Sequence, residues 1–240
     1  MYALVAGAAG VSALALMPRA EAKIVYTPAH VRLTVLSPPF PLDLNHDGTV
    51  DFYLLHSFSH DEGQHFLAAC QFVGSYAGRI FCSYFKSTNE VRAGVFSMGR
   101  EFDAALRFGT AIQKGDRFPK LPNVMASFCC YSGTSGFSRW YGPWANGGKG
   151  VKNRYLGFKF KIKGRVHYGW ARLTVTTAQY NFIATLTGYA YETIPGKGIV
   201  AGKTEGPDVT TVYPASLGHL AAGASAIPAW RAKQPTAKTQ

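Results

Sequence analysis

The sequence predicts an all-β protein: an antiparallel β-sandwich or jelly-roll-like single domain with few short helices. Polar and apolar residues alternate through several short segments, as they do in strands that have one buried face. Glycine-containing turns separate these segments, and KGR at residues 163–165 is the clearest of them. A chain of 240 residues is long enough to bury the core of one such domain.

The strongest strand pattern lies between residues 154 and 194. In RYLGFKFKI (154–162) the apolar side chains fall on one face, and VHYGWARLTVT (166–176) alternates in the same way after the turn. ATLTGYAYETI (184–194) gives a third strand. These segments predict an antiparallel meander with one face packed on a core, and they place His167 on a strand surface.

Other elements are predicted on either side of the meander. Residues 64–74 and 78–85 are predicted as paired strands around the SYAG turn, and residues 123–133 as another strand. REFDAALRF, at 100–108, is predicted to include a short helix. PASLGHLAAGA, at 214–224, is predicted as a short helix that packs on the sheet.

The N-terminal segment predicts export. Residues 3–17 form an apolar run that is too short to span a bilayer, and Ala20 and Ala22 fit the small-x-small rule of signal peptidase. We therefore expect a signal peptide at 1–22, a calcium-stabilised β domain at 23–230 and a disordered tail at 231–240. The alternative is a buried N-terminal helix. The expected location is secreted, either extracellular or periplasmic, with no transmembrane segment in the mature chain.

The chain is strongly basic, with 25 Lys and Arg against 13 Asp and Glu and a net charge of +12. Such a surplus favours anionic partners. Lys159, Lys161 and Lys163 alternate with apolar residues, which predicts the solvated face of a strand. Binding to an anionic extracellular polysaccharide or a membrane surface is the alternative use of this face. Nucleic acid is not an expected partner, because no recognition motif is present.

Four cysteines in an exported chain predict one or two disulfides. They are Cys70, Cys82, Cys129 and Cys130. A bond between the adjacent Cys129 and Cys130 closes a strained ring, so we expect each of them to reach back to Cys70 or Cys82. Zinc ligation is the alternative, although the chain has no CxxC spacing.

DLNHDGTVDF, residues 43–52, has the spacing of a calcium-binding loop, with Gly48 at the sixth position for the sharp bend. The predicted ligands are Asp43, Asn45, Asp47, the backbone carbonyl of Thr49, and Asp51. Leu54 replaces the glutamate that ends an EF-hand loop, and both flanking segments have strand composition. We therefore predict a β–loop–β site for Ca²⁺ with a structural role; the alternative is an Asx-rich turn that binds no metal.

A second polar cluster, HSFSHDEGQH at 56–65, contains the ligand types of zinc and copper sites. The candidate ligands are His56, His60, Asp61 and His65. Their spacing matches no helical zinc-protease motif such as HExxH, so the alternative is a polar loop between two strands.

An aromatic, glycine-rich segment, GTSGFSRWYGPWANGGKG at 133–150, is a candidate sugar-binding loop. Trp140, Tyr141 and Trp144 would stack on sugar rings if they were exposed. The alternative is a loop that folds back and caps the core.

Two segments carry a family resemblance. YLGFKFKIKGRVHYGWARLTV (155–175) and ATLTGYAYETIPGKGIVAG (184–202), together with the DxNxDGxxDF loop, resemble a group of exported bacterial proteins of unknown function. Many members of that group carry a PEP-CTERM sorting tail, whereas residues 216–240 contain no Pro-Glu-Pro signal. The resemblance implies export and a β-sandwich-like fold, and it implies no activity.

Three classes of function follow. The first is an exported structural, adhesive or self-assembling β domain that is stabilised by calcium. The second is a carbohydrate-binding module that uses Trp140, Trp144 and the basic face. The third is a hydrolase with Glu192 and Asp208 as a carboxylate pair, and it is disfavoured because no GxSxG or HExxH motif is present.

Overall fold

The chain folds into two facing β-sheets, which confirms the predicted all-β sandwich-like domain. A computed structural model describes residues 23–213, apart from 60–63, 77–78, 84–87, 98–99, 121–122, 130–138, 179–180 and 206–207. The predicted signal peptide, the predicted helix at 214–224 and the predicted tail at 231–240 lie outside the described residues.

Seventeen strands and one short 3-10 turn, Asn146–Gly148, make up the described part of the chain. In chain order the strands are β1 Ile24–Leu33, β2 Phe40–Leu42, β3 Phe52–Ser59, β4 Gln64–Cys70, β5 Val73–Tyr76, β6 Arg79–Cys82, β7 Glu90–Val91, β8 Ala93–Ser97, β9 Arg100–Asp103, β10 Ala111–Ile112, β11 Val124–Cys129, β12 Arg139–Tyr141, β13 Val151–Ile162, β14 Arg165–Ala178, β15 Asn181–Glu192, β16 Ile199–Val200 and β17 Val209–Thr211.

The first sheet has the strand order β17–β1–β15–β14–β13–β7, and the second has the order β2–β3–β4–β11–β9–β8, with β12 also paired to β11. Pairing is antiparallel except between β1 and β17 and between β9 and β11. The predicted meander is confirmed as β13, β14 and β15. Lys163 and Gly164 turn the chain with φ of 48° and 78°, the positive values that a two-residue type I′ hairpin requires.

The main core lies between the two sheets. The first sheet contributes Phe158, Leu173 and Leu186, and the second contributes Phe52 and Leu67, all with no exposed surface. The Phe52 and Phe158 rings pack across the interface with centroids 4.4 Å apart. Burial of these large apolar side chains on both facing sheets is what holds the sandwich together.

The outer face of the first sheet is covered as well, which the alternation pattern did not predict. The β10–β16 ribbon and its flanking segments pack on Trp170, which is fully buried. Strand β14 is therefore buried on both faces.

His167, predicted on a strand surface, is instead buried, and its Nδ1 lies 2.9 Å from the Glu192 carbonyl oxygen. Lys159 is half-buried and pairs with Glu90, and Lys161 and Lys163 remain exposed.

The predicted short helix at 100–108 is wrong. Residues 100–103 form β9, which pairs with β8 and β11. After this strand, Ala104 and Leu106 are both buried against the outer face of the first sheet. Their two-residue spacing matches an extended chain, and pairing with neighbouring strands outweighs the local helix propensity of the alanine pair.

A disulfide joins Cys70 at the end of β4 to Cys82 at the end of β6. It fixes the β5–β6 hairpin against the outer face of the second sheet, where Cys70 and Leu55 form a small core. Cys129 is also disulfide-bonded. Since Cys70 and Cys82 bond to each other, the prediction that Cys129 and Cys130 reach back to them is wrong. A disulfide fits an oxidising compartment.

Replacing both Cys70 and Cys82 with alanine is expected to lower the free energy of unfolding by about 3 kcal/mol, because the crosslink closes a loop with a sequence separation of 12 residues. Urea denaturation of the wild type and the double variant measures the difference. A loss well below about 1 kcal/mol would mean that the hairpin is held by its strand contacts alone.

Candidate metal centre

The predicted calcium loop connects β2 to β3 at one end of the sandwich. Leu42 pairs with Phe52 at the base of the loop, and the Asp51 amide donates a hydrogen bond of 3.0 Å to the Leu42 carbonyl. Leu44 is fully buried and anchors the first half of the loop in the core. Strands on both sides confirm the β–loop–β arrangement and exclude an EF-hand.

Backbone hydrogen bonds shape the loop around Asp43 and Asp47. The Asp43 carboxylate accepts the His46 amide at 2.7 Å and the Gly48 amide at 2.8 Å. Gly48 has a φ of 85°, so the bend needs the residue that the sequence places there. Asp47 accepts Asn45 Nδ2 and the Thr49 amide, both at 2.8 Å, and these hydrogen bonds hold the pKa of Asp47 below its usual value.

Asp51 is the buried carboxylate of the loop. Its side chain accepts the Leu44 amide at 2.9 Å, and the residue is 5% exposed. Burial raises the pKa of Asp51 to about 7, and the negative charges of Asp43 and Asp47 add to this increase. The folded chain therefore holds an acid at this position whose negative charge is poorly compensated by its surroundings.

Asn45 supplies a second uncompensated group. Its Oδ1 is buried and accepts no hydrogen bond, while its Nδ2 donates to Asp47. A buried carbonyl oxygen without a donor is unfavourable, and a cation is one way to satisfy it. Asn45 and Asp51 thus present hard oxygen atoms of the type that calcium prefers.

The loop joins two strands of the second sheet and also contacts the first sheet. His46 Nε2 lies 2.7 Å from the Thr27 hydroxyl on β1, and the His46 ring packs 5.8 Å from the Tyr189 ring on β15. Asn89, which is buried, donates from Nδ2 to the Asp51 carbonyl at 3.2 Å and accepts the Lys161 amide of β13 at 3.1 Å. These contacts mean that an ordered loop helps to fix the first sheet in place against the second.

The predicted ligands share one loop but do not form a closed cage. Within the described part of the chain, no three His, Cys, Asp or Glu side chains converge as they would around a metal ion. Asp43 and Asp47 instead turn toward amide groups of their own loop. Each carboxylate oxygen has more than one lone pair, so these hydrogen bonds leave acceptor capacity for a cation.

Sequence reasoning missed Thr27, His46 and Asn89, which attach the loop to the first sheet. Asn89 lies 38 residues after Asp51 and belongs to no motif. Only the pairing of β7 with β13 brings it to the loop, and no spacing rule would have found it.

The second predicted cluster is partly assembled. His56 Nε2 and His65 Nδ1 lie 3.1 Å apart between β3 and β4, whereas His60 and Asp61 lie outside the described residues. Burial lowers the pKa of His56 to about 4, with a further contribution from His65, and burial also lowers the pKa of His65. Both imidazoles are therefore neutral at physiological pH.

The candidate sugar-binding side chains are not a free aromatic surface. Trp144 is fully buried in the main core, so its ring is not accessible to a sugar. Trp140 is half-buried, with its ring 4.5 Å from Phe128 and 5.0 Å from Phe182. Tyr141 is half-buried on β12. The capping interpretation describes these rings better than the carbohydrate interpretation.

The carboxylates proposed for a hydrolase have separate partners. Glu192 is 3.2 Å from Lys197 and accepts the Ile194 amide, while Asp208 is 2.6 Å from Lys203. Each acid is neutralised by its own lysine, which is typical of structural ion pairs rather than of a catalytic carboxylate pair.

The chain matches no protein-family model, no curated protein sequence and no solved structure. Among the described residues, no helix is long and apolar enough to cross a membrane.

Proposed function

We propose that this protein is an exported, calcium-stabilised β-sandwich with a structural, adhesive or self-assembling role outside the cell. The observation that carries the proposal is the buried Asp51 carboxylate, which lies beside two further aspartates and has no cation in contact with it among the described residues. Calcium would compensate this charge and satisfy Asn45 Oδ1.

Binding requires a modest rearrangement. Asp43, Asp47 and Asn45 would turn toward a common centre near Asp51, and the Thr49 carbonyl would complete the protein ligands. Because His46 and Asn89 connect the loop to β1 and β13, an ordered loop would hold the two sheets together at this end. This connection between the two sheets is the basis for a structural role of the ion.

The proposed location and partners rest on other features. Export is supported by the predicted signal peptide and the family resemblance, and the Cys70–Cys82 disulfide is consistent with it. Lys161, Lys163 and Arg165 lie exposed around the β13–β14 turn. Together with the net charge of +12, this basic surface favours an anionic extracellular polysaccharide as partner, whereas self-assembly would use the edges of the sheets.

Terbium luminescence tests where the ion binds. The charges of Asp43, Asp47 and Asp51 contribute to the raised pKa of Tyr191, after burial, so this phenol lies within the electrostatic field of the loop. We expect Tb³⁺ to replace calcium, and its emission on tyrosine excitation to fall when Tyr191 is changed to phenylalanine. The Tyr155→Phe variant is the control, because Tyr155 lies on the opposite, outer face of the first sheet.

Asp47→Ala should remove the emission entirely and leave the chain folded, since Asp47 is exposed. Calcium should compete with Tb³⁺ in the wild type. Emission that persists in Asp47→Ala, or that calcium does not displace, would place the ion elsewhere and contradict the proposed site.

A further inference from the structure

The end of the sandwich remote from the calcium loop carries an inward-facing pair of histidines. Along β15, Tyr189 lies beside the calcium loop, whereas Phe182, at the other end of the strand, packs edge-on against His56 with ring centroids 5.9 Å apart. His56 lies on β3 and His65 on β4. The two side chains are therefore well separated from the predicted calcium ligands.

The two rings present nitrogen atoms to each other. His56 Nε2 and His65 Nδ1 are 3.1 Å apart, close to the separation of about 3.3 Å that two imidazole ligands have around a tetrahedral zinc ion. His56 is 5% exposed and His65 is half-buried, so the pair opens to solvent on the His65 side. Water can therefore reach the positions that protein ligands leave open.

The proposed ligand atom of His56 is Nε2, and the other ring nitrogen, Nδ1, is buried. No hydrogen-bond partner for this nitrogen lies among the described residues, while the Phe182 backbone favours the protonated form of the His56 ring. A metal-binding histidine usually directs its second ring nitrogen to a backbone carbonyl, which fixes the tautomer and frees the other nitrogen for the ion. With the proton on Nδ1, His56 Nε2 would offer a lone pair toward His65.

We propose that His56 Nε2 and His65 Nδ1 are two ligands of a transition-metal site that takes zinc or a similar borderline ion, with water at the remaining positions. Two imidazoles without a carboxylate favour such ions over calcium. A site with two protein ligands exchanges its ion readily, which suits capture of extracellular metal better than permanent structural zinc. The proposal is independent of the calcium loop.

The test uses the untagged chain in excess calcium, so that zinc does not occupy the loop. We expect ZnCl₂ to raise the thermal unfolding midpoint of the wild type and of His30→Gln, a control at an exposed histidine. His65→Gln, which keeps a hydrogen-bonding group next to His56, should bind zinc about tenfold more weakly or worse and lose the midpoint rise.

Cobalt gives a second measurement that needs no variant. Co²⁺ bound to the wild type should show the intense visible bands of a tetrahedral site, and Zn²⁺ should displace them. No midpoint rise with millimolar zinc, an equal rise in His65→Gln, or only the weak bands of six-coordinate cobalt would each overturn the proposal and leave a hydrogen-bonded histidine pair.

Discussion

Replacing Asp51 with asparagine is expected to stabilise the calcium-free protein and to abolish its response to calcium. The wild type buries a carboxylate whose pKa is raised from 3.8 to about 7. Asparagine has the same shape, keeps an oxygen for the Leu44 amide, and carries no charge to desolvate. The gain without calcium is at most about 4 kcal/mol above pH 7, since one pKa unit corresponds to about 1.4 kcal/mol.

The stability gained by Asp51→Asn without calcium is expected to increase with pH. The folded-state pKa of Asp51 lies above its unfolded value, so the folded state holds a proton more tightly than the unfolded state. Without calcium, the contribution of Asp51 to stability is complete below about pH 4 and is lost as the pH rises through 7. The Asp51→Asn variant should lack this decline, and its advantage over the wild type should grow across the same interval.

Asp47→Asn is the matched control. The pKa of Asp47 is lowered by hydrogen bonds from Asn45 and Thr49, so its charged form is favoured in the fold and its removal should not stabilise the calcium-free protein. Urea denaturation in EDTA and in calcium at pH 8 compares the three proteins. If Asp51→Asn were less stable than the wild type in EDTA, or kept a calcium response, the role assigned to Asp51 would be wrong.

Replacing Trp144 with alanine is expected to lower the free energy of unfolding by about 3–5 kcal/mol. The side chain is fully buried in the main core, so its removal takes apolar area from the interface between the sheets and leaves a cavity. Chemical denaturation measures the loss, which would be a consequence of packing and not of any lost ligand.

Tyr213→Ala is the control for an aromatic side chain at the surface, because this residue is 76% exposed. Its replacement should change stability by less than about 0.5 kcal/mol. If Trp144→Ala also lowered the free energy of unfolding by less than about 0.5 kcal/mol, the buried position of Trp144 would be contradicted. Trp144 would then again be a candidate for stacking on a sugar ring.

The parts of the fold that the sequence predicts are those determined by local patterns. The β13–β14 hairpin follows from strict alternation around a turn, where Lys163 and Gly164 both take positive φ. The bend of the loop at 43–51 follows from the spacing of its polar residues and from Gly48. In both places the local chemistry and the tertiary structure agree, so a single segment carries enough information.

Predictions failed where distant segments decide the outcome. His167 alternates as a surface residue, but its strand is covered on both faces, and the covering ribbon comes from β10 and β16. The pairing of Cys70 with Cys82 depends on the position of the β5–β6 hairpin, which cysteine spacing does not reveal. Asn89 reaches Asp51 only because β7 pairs with β13.

Thermal unfolding in EDTA and in calcium shows whether calcium binds the loop at 43–51 and stabilises the sandwich. At a calcium concentration a hundredfold above Kd, binding stabilises the fold by about 2.7 kcal/mol, which corresponds to a midpoint increase of about 5–10 °C. We predict this increase for the wild type and its absence in Asp51→Asn. Equal midpoints for the wild type in EDTA and in millimolar calcium would mean that this loop does not stabilise the fold by binding calcium.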